Sequence, residues 1–334
     1  MTALSEPETN ALPRCPSGVT GLDEILNGGF PRARPTLLCG GPGCGKTTTS
    51  MQFIALGARQ YDENGVYVSF EERTEDLVQN YSSMPWGFSE LIDNEKLQLL
   101  QIRVEANEFE EMGDFDLEGL FIRLESAIDS IGAKRVVLDT FEVLLSAFER
   151  EHIVRAELRR LFEWLKQKRV TALVTAERGE NTLTRWGLEE YVSDCVISLD
   201  NRIRDHVSTR QMRVVKYRGA SHGEREYPFL IGQNGVSVFP ISSLGLDHTV
   251  CSERVSTGIE DLDQMLGGKG FYRGTSILVS GTAGTGKSSL ASTFLDAACG
   301  RGERGMYVSF EEGPEQIIRN MASIGLDLGQ WKNR

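Results

Sequence analysis

The sequence lacks a long hydrophobic run and is poor in positive charge. No stretch of about 18 consecutive apolar residues occurs, so no membrane-spanning helix is predicted. Its 36 lysine and arginine residues are outnumbered by 48 aspartate and glutamate residues, which leaves a formal net charge of −12. Because general binding to nucleic acid needs a basic surface, this charge argues against a nucleic-acid partner.

Cysteine is sparse and shows no paired spacing. The CxxC pattern is typical of zinc and redox sites, and the six cysteines do not form it. They are therefore predicted to be free, buried thiols of a protein in the reducing cytoplasm. The first 16 residues are polar and lack the apolar core of a signal peptide, so residues 1–16 are predicted to form a flexible arm.

One phosphate-binding motif occurs twice. Residues 40–47 (GGPGCGKT, the first phosphate loop) and residues 281–288 (GTAGTGKS, the second phosphate loop) both match GxxxxGK[ST]. Glycines let successive backbone N–H groups approach a phosphate, while the lysine reaches the β- and γ-phosphates and the hydroxyl binds Mg²⁺. Each loop follows an apolar run and precedes a helical pattern, so the sequence predicts two ATP sites.

The loops supply most of the predicted ligand contacts. Thr47 and Ser288 are the predicted metal ligands, and Lys46 is also a predicted catalytic residue. Cys44 is interpreted as a small side chain tolerated in the loop rather than as a redox group. The residues predicted to bind ATP are Gly41, Gly43, Cys44, Gly45, Lys46, Thr47 and Thr48 in the first copy, and Gly284, Thr285, Gly286, Lys287, Ser288 and Ser289 in the second.

The repeat extends beyond the loops. Residues 66–72 (VYVSFEE) and 306–312 (MYVSFEE) also correspond, about 240 residues apart, which indicates a duplicated domain rather than a solenoid. The first copy continues to residues 135–140 (RVVLDT), a Walker B pattern that makes Asp139 a metal ligand. Its counterpart would fall beyond Arg334, so the second copy is incomplete, and we expect a fragment or a truncated relative of a longer protein.

Strand-like runs alternate with helical patterns throughout the first copy. Residues 151–168 show the clearest helical spacing of apolar side chains. This alternation predicts an α/β fold with a mainly parallel sheet covered on both faces, and three short runs after residue 210 predict an antiparallel extension. The predicted boundaries are a complete domain at 17–241, a linker at 242–254 and part of a second domain at 255–334.

Two glutamates follow the same apolar strand in each copy. This strand is expected to lie beside the phosphate-loop strand, and ligands of open α/β sheets bind at the carboxyl ends of strands. A glutamate there can orient and deprotonate an attacking water. Glu71 and Glu311 are the predicted bases, and Glu72 and Glu312 are supporting catalytic residues.

The order of these motifs resembles the KaiC family of RecA-like ATPases from bacteria and archaea, best known from the cyanobacterial circadian clock. The resemblance runs from about residue 16 onward and includes residues 175–178 (TAER), 185–194 (RWGLEEYVSD) and 216–222 (KYRGASH). It implies a RecA-like P-loop fold in both copies. It also implies a homo-oligomeric, hexameric ring with ATP between protomers, together with regulatory protein partners.

The resemblance also implies roles for residues outside the phosphate loops. Lys216 and Arg218 match residues that reach the neighbouring protomer's nucleotide, and His222 matches a residue beside it. Ser83 matches a position that contacts nucleotide. The family's phosphorylated serine and threonine lie in the part of the second copy that this sequence does not contain. Serine/threonine kinase activity is therefore expected only of a longer form.

Two other functions remain open at this stage. A RecA/RadA-type recombinase would bind single-stranded DNA in a salt-dependent way, which the acidic charge disfavours. A non-catalytic scaffold would bind ATP without turnover. Glu71 and Asp139 argue against the scaffold for the first copy, whereas the second copy fits it.

Overall fold

The chain divides into two compact units, residues 1–244 and 245–334. The computed structural model describes residues 12–102, 117–145, 151–179, 184, 193–204, 207–223, 225–240 and 251–332. Residues 1–11 of the predicted arm and 242–250 of the predicted linker lie outside the described residues. None of the described helices is long and apolar enough to cross a membrane.

The first unit is built on a large sheet, with a small two-stranded sheet beside it. Strands β1 (Arg14–Cys15) and β2 (Phe30–Pro31) pair antiparallel, so two residues of the predicted arm belong to a strand. Within the described residues the large sheet has nine strands. They are β3 (Pro35–Gly40), β4 (Gly65–Ser69), β5 (Leu97–Gln101), β6 (Arg135–Asp139), β7 (Thr171–Glu177), β8 (Cys195–Arg204), β9 (Val207–Tyr217), β10 (Glu226–Gly232) and β11 (Gly235–Val238).

The spatial order of the large sheet is β11-β10-β9-β8-β3-β7-β6-β4-β5. Strands β3 to β8 run parallel, and β9, β10 and β11 continue the sheet antiparallel from β8. The predicted mainly parallel sheet and its antiparallel extension are therefore confirmed.

Helices cover both faces of this sheet. They are α1 (Leu22–Ile25), α2 (Lys46–Gln60), α3 (Thr74–Tyr81), α4 (Phe88–Asp93), α5 (Glu118–Ile131), α6 (Glu142–Leu145) and α7 (Glu151–Gln167). Alternate side chains of β3 enter two different cores, with Leu38 in one and Leu37 and Cys39 in the other. Because both faces are buried, the central strands read as continuous apolar runs.

The prediction that the strand before Glu71 lies beside the phosphate-loop strand is wrong. The strand before Glu71, β4, pairs with β5 and β6, and two strands separate it from β3. The order of strands along the chain does not give their order in a parallel sheet, because each crossover connection can pass over intervening strands. Glu71 still follows the carboxyl end of a parallel strand, so it lies at the same edge of the sheet as the first phosphate loop.

The second unit keeps the helices of the repeat without its large sheet. It contains β12 (Arg254–Val255), β13 (Phe271–Tyr272), α8 (Glu260–Met265), α9 (Lys287–Gly300), α10 (Pro314–Ala322) and a 3₁₀ helix (Leu328–Trp331). Residues 276–280 and 306–310, predicted as strands, form none, and Leu278 and Phe310 are 91% and 97% exposed. In the first unit, their counterparts pair with β5, β6, β7 and β8, whose equivalents would fall beyond Arg334.

Candidate functional site

The first phosphate loop joins the end of β3 to the start of α2. Gly43 and Gly45 adopt φ angles of 67° and 102°, which glycine tolerates and which turn the chain into the helix. The Lys46 ammonium donates hydrogen bonds to the carbonyl oxygens of Gly40 (2.8 Å) and Gly41 (3.1 Å). The lysine thus lies over the loop, where the backbone N–H groups at the start of α2 can receive an anion.

The second phosphate loop has the same local conformation. Gly284 and Gly286 adopt φ angles of 81° and 88°. The Lys287 ammonium donates to the carbonyl oxygens of Gly281 (2.8 Å) and Thr282 (2.7 Å). The loop shape is therefore encoded locally by its glycines and lysine, since it forms here without flanking strands.

Cys44 is packed inside the first phosphate loop. Its side chain is buried, and a Cβ placed on Gly40 would lie 2.6 Å from its Sγ atom. Burial raises the pKa of the Cys44 thiol, against the opposing effect of Lys46. These features favour the interpretation of Cys44 as a small packing residue. All six cysteines are free thiols, but the predicted burial is wrong for Cys251, which is exposed, and for Cys299, which is half-buried.

Asp139 ends β6 as a buried carboxylate, 4% exposed. The hydroxyls of Tyr67 and Thr175 each donate to one of its oxygens, both at 2.5 Å. The backbone N–H of Thr140 donates to the same Thr175 hydroxyl at 3.0 Å. The Walker B pattern predicted Asp139 as a metal ligand but gave no sign of these two partners within the protein.

The residues around Asp139 fit a magnesium ion bound jointly with phosphate. Among the described residues no group of three or more His, Cys, Asp or Glu side chains could hold a metal. Mg²⁺ does not need one, because it is commonly held by one or two protein oxygens, phosphate oxygens and water. Each Asp139 oxygen keeps acceptor capacity beside its hydroxyl donor, and Thr47, the other predicted ligand, lies at the start of α2.

Glu71 and Glu72 lie just past β4 and are both exposed. Ser69 of β4 is in register with Asp139 of β6, and the Ser69 hydroxyl donates to the Glu72 carbonyl oxygen at 2.7 Å. Partial burial raises the pKa of the Glu72 carboxyl, and the charges of Asp139 and Glu71 raise it further. The glutamates and Asp139 therefore share one negatively charged edge of the sheet.

The corresponding glutamates of the second unit follow a segment without a strand. Glu311 is exposed, and Glu312 accepts a hydrogen bond from the Asn320 side-chain amide at 2.8 Å. The Glu312 backbone N–H donates to the Ser309 hydroxyl at 3.1 Å. The turn carrying the glutamates is thus present, but the described residues contain no counterpart of Asp139.

Lys216 and Arg218 lie at the opposite end of the sheet from the first phosphate loop. Lys216 is in register with Val196, which pairs with Leu37 near the start of β3, whereas the loop follows the last residue of that strand. Arg218 lies beyond the end of β9, and its guanidinium is 3.4 Å from the buried Asp194 carboxylate. The structure does not bring these two cations together with the loop of their own chain.

The structure places the other residues assigned by family resemblance as follows. Ser83 is exposed two residues beyond Tyr81, whose hydroxyl is hydrogen-bonded to the Thr48 hydroxyl at 3.0 Å. Ser83 therefore lies close to the start of α2. His222 is half-buried in the segment after β9, on the side of Arg218. Residues 185–192 of the resembling motifs lie outside the described residues.

Sequence reasoning missed Tyr67, Thr175 and Tyr81. A signal for Tyr67 was present, because Tyr307 occupies the same position in the repeated YVSFEE segment. Thr175 and Tyr81 gave no such signal, since their contacts depend on strand order and helix packing. All three hydroxyls contact residues of the predicted site.

The comparisons with known proteins match both units to one family. The family described as ATPase: KaiC matches residues 15–243 and 255–334. The chain belongs to this KaiC family. It is 58% identical to the circadian clock protein KaiC2 of Synechocystis sp. over 96% of this chain and 56% of that protein.

More distant KaiC proteins show the same partial coverage. The chain is 39% identical to the circadian clock oscillator protein KaiC of Parathermosynechococcus lividus, over 98% of this chain and 61% of that protein. It is 37% identical to KaiC of Prochlorococcus marinus strain MIT 9313, over 96% and 64%. The chain thus spans 56% to 64% of the length of these relatives. Its fold is that of a RecA-like P-loop ATPase.

Proposed function

We propose that the first unit binds ATP with Mg²⁺ and hydrolyses it at interfaces between protomers of a ring. The observation that carries this proposal is the division of the site across the sheet. The first phosphate loop, Asp139 and Glu71 lie at one edge, whereas Lys216 and Arg218 lie at the other. A single chain therefore holds two incomplete halves, which head-to-tail packing of identical subunits would join.

The residues at the loop edge have separate roles in this proposal. Lys46 exchanges the Gly40 and Gly41 carbonyls for phosphate oxygens when ATP binds. Thr47 and Asp139 hold Mg²⁺, which when bound neutralises charge on the phosphates. Glu71 orients the attacking water and accepts its proton, and Glu72 lies beside it as a supporting residue.

Lys216 and Arg218 act on the nucleotide of a neighbouring protomer. The registers of β9 with β8 and of β8 with β3 place Lys216 level with Leu37, about 10 Å along β3 from Gly40 and two strands away laterally. The side chain cannot span that separation to reach its own loop. Cations supplied across an interface can raise phosphoryl-transfer rates by orders of magnitude, so turnover would depend on assembly.

The second unit binds nucleotide through Lys287, Ser288 and the adjoining loop residues in this proposal. The described residues of this unit contain no counterpart of Asp139, and the proposal therefore assigns them nucleotide binding alone. In a longer form, Glu311 and Glu312 would belong to a complete site, with serine/threonine kinase activity possible there. The relatives named as circadian clock proteins support a regulatory role in which ATP turnover drives conformational signalling to protein partners.

ATP turnover measured together with size-exclusion light scattering tests this function. The wild-type chain should form a nucleotide-dependent ring, hexameric by resemblance to the family, and hydrolyse ATP slowly. Glu71→Gln should lose turnover while it still binds ATP and still assembles. A wild-type monomer that binds ATP without turnover would contradict the proposal and support a nucleotide-binding scaffold.

A further inference from the structure

Arg178 lies beside the first phosphate loop. It follows the last residue of β7, and its backbone N–H donates to the Gly40 carbonyl oxygen at 3.2 Å. The Lys46 ammonium donates to the same oxygen at 2.8 Å. Since the two nitrogens share one acceptor, they lie within about 6 Å of each other. An arginine side chain starting there can reach phosphate oxygens bound by Lys46.

The Arg178 side chain is held only loosely. It is 48% exposed, and its guanidinium lies 3.5 Å from the Oδ2 atom of Asp200. That same oxygen accepts a hydrogen bond from Arg202 at 2.7 Å, and Arg202 also binds both carboxylate oxygens of Glu226, at 2.8 and 2.9 Å. Asp200 therefore keeps a cationic partner if Arg178 moves away.

The strand order places the Arg178 backbone between the first phosphate loop and Asp139. Strand β7 lies between β3, which leads into the loop, and β6, which ends at Asp139. The Arg178 side chain extends the other way, since Asp200 belongs to β8 on the far side of β3, so it must turn back toward β6 to enter the space between the loop and Asp139. The terminal phosphate of a nucleotide must occupy this space if Glu71 is to place water against it.

We propose that Arg178 binds the γ-phosphate of ATP within its own protomer and thereby makes the first site prefer ATP to ADP. This inference rests on the proposed ATP binding by the first unit. A half-exposed ion pair such as Arg178–Asp200 contributes little. A charge-assisted, bidentate arginine–phosphate contact is stronger, so the γ-phosphate can draw Arg178 from Asp200.

This role differs from that of the cations at the far end of the sheet. Lys216 and Arg218 need a second protomer to reach a nucleotide, whereas Arg178 lies beside its own loop. Discrimination between ATP and ADP through Arg178 is therefore independent of assembly. Nucleotide binding to a single chain therefore measures this discrimination without a contribution from Lys216 and Arg218 of a neighbouring protomer.

The test compares binding of a non-hydrolysable ATP analogue with binding of ADP, both with Mg²⁺, to the full chain under dilute conditions. Lys287→Ala is present in every sample to silence the second loop. Arg178→Gln removes the proposed contact, and Arg202→Gln is the matched control, since it removes a cation bonded to the same Asp200 oxygen. Thermal melting confirms that each variant is folded.

We expect Arg178→Gln to weaken binding of the ATP analogue about tenfold or more relative to ADP. Arg202→Gln should leave the ratio of the two affinities within about twofold of its starting value. An unchanged ratio in Arg178→Gln, or an equal fall in Arg202→Gln, overturns the role of Arg178 but leaves the proposed function intact. Failure of the parent chain to bind either nucleotide overturns both.

Discussion

Asp139 combines two requirements that normally conflict at the scale of one residue. In the proposed function it binds Mg²⁺ through its carboxylate oxygens, yet it is almost completely buried. Hydroxyl donors from Tyr67 and Thr175 satisfy both needs, because they stabilise the carboxylate and fix its direction. Burial, together with the Asp139 charge, holds the Tyr67 pKa well above its usual value, so this phenol stays protonated and remains a donor.

Tyr67→Phe should destabilise the first unit by about 1–3 kcal/mol, because it leaves a buried carboxylate oxygen without one of its donors. Chemical denaturation at neutral pH measures this change. Tyr307→Phe is the matched control, since Tyr307 is the partly exposed twin of Tyr67. Equal effects of the two substitutions would contradict the role assigned to the Tyr67 hydroxyl.

Two cysteines in contrasting environments are predicted to differ in reactivity. Cys44 is buried with a raised pKa, so little of it is thiolate near pH 8, whereas Cys251 is exposed. Cys251 should therefore react with iodoacetamide much faster than Cys44. Peptide mapping by mass spectrometry after short labelling times measures both rates, and comparable rates would show that the first loop is open.

Many residues of the candidate site could be predicted from the sequence, because they belong to short, contiguous motifs. Lys46 and Thr47 are fixed by a short loop pattern, and the structure gives that loop the expected shape in both units. Tyr81 could not be predicted in this way. Its contact with Thr48 is made by helix packing between distant segments, which no local spacing encodes.

At the scale of elements, an ion-pair cluster ties the middle of α2 and the segment after it to the start of β6. Arg135 is fully buried, and its guanidinium bonds Glu63 at 2.7 Å and the Phe53 carbonyl oxygen at 2.9 Å. Glu63 also pairs with Arg32 near β2. Burial alone would raise the Glu63 pKa, but the two arginines outweigh burial and hold it below its ordinary value.

Glu63→Gln should cost about 3 kcal/mol at pH 7, because it leaves the buried Arg135 without a counter-charge. A depressed carboxyl pKa stabilises the fold above the pKa of the unfolded state, and this stabilisation is lost as pH falls through the folded-state pKa. The difference between wild type and variant should therefore shrink below about pH 4.5, the ordinary glutamate value.

Urea denaturation at several pH values checks this dependence. Asp62→Asn serves as the control, since Asp62 pairs with Lys96 on the surface and should contribute little. A difference for Glu63→Gln that stayed constant with pH would show that the cluster acts through packing rather than charge.

The strands show why pattern alone predicts some elements and not others. The continuous apolar runs of β3 and β4 predicted strands because both faces are buried. The same pattern in residues 276–280 predicted a strand wrongly, since a strand also needs neighbours to pair with. The order of β3, β7, β6 and β4 could not be predicted either, because local sequence does not encode which strands a crossover passes.

At the scale of the whole molecule, the proposed function depends on copies of the chain meeting. One edge of the large sheet carries the phosphate loop, Asp139 and Glu71, and the other carries Lys216 and Arg218. If turnover takes place between protomers, the two edges must come from different chains. Two variants that each lack the functional residues of one edge should then restore ATP turnover when they assemble together.

The most direct test mixes two inactive variants before nucleotide is added. One is Glu71→Gln, and the other is the double variant Lys216→Ala with Arg218→Ala. Random mixing in a head-to-tail ring pairs an intact Glu71 with intact Lys216 and Arg218 at about a quarter of interfaces. The proposal predicts that the mixture recovers about that fraction of wild-type ATP turnover. A mixture no more active than its two components would contradict a site shared between protomers.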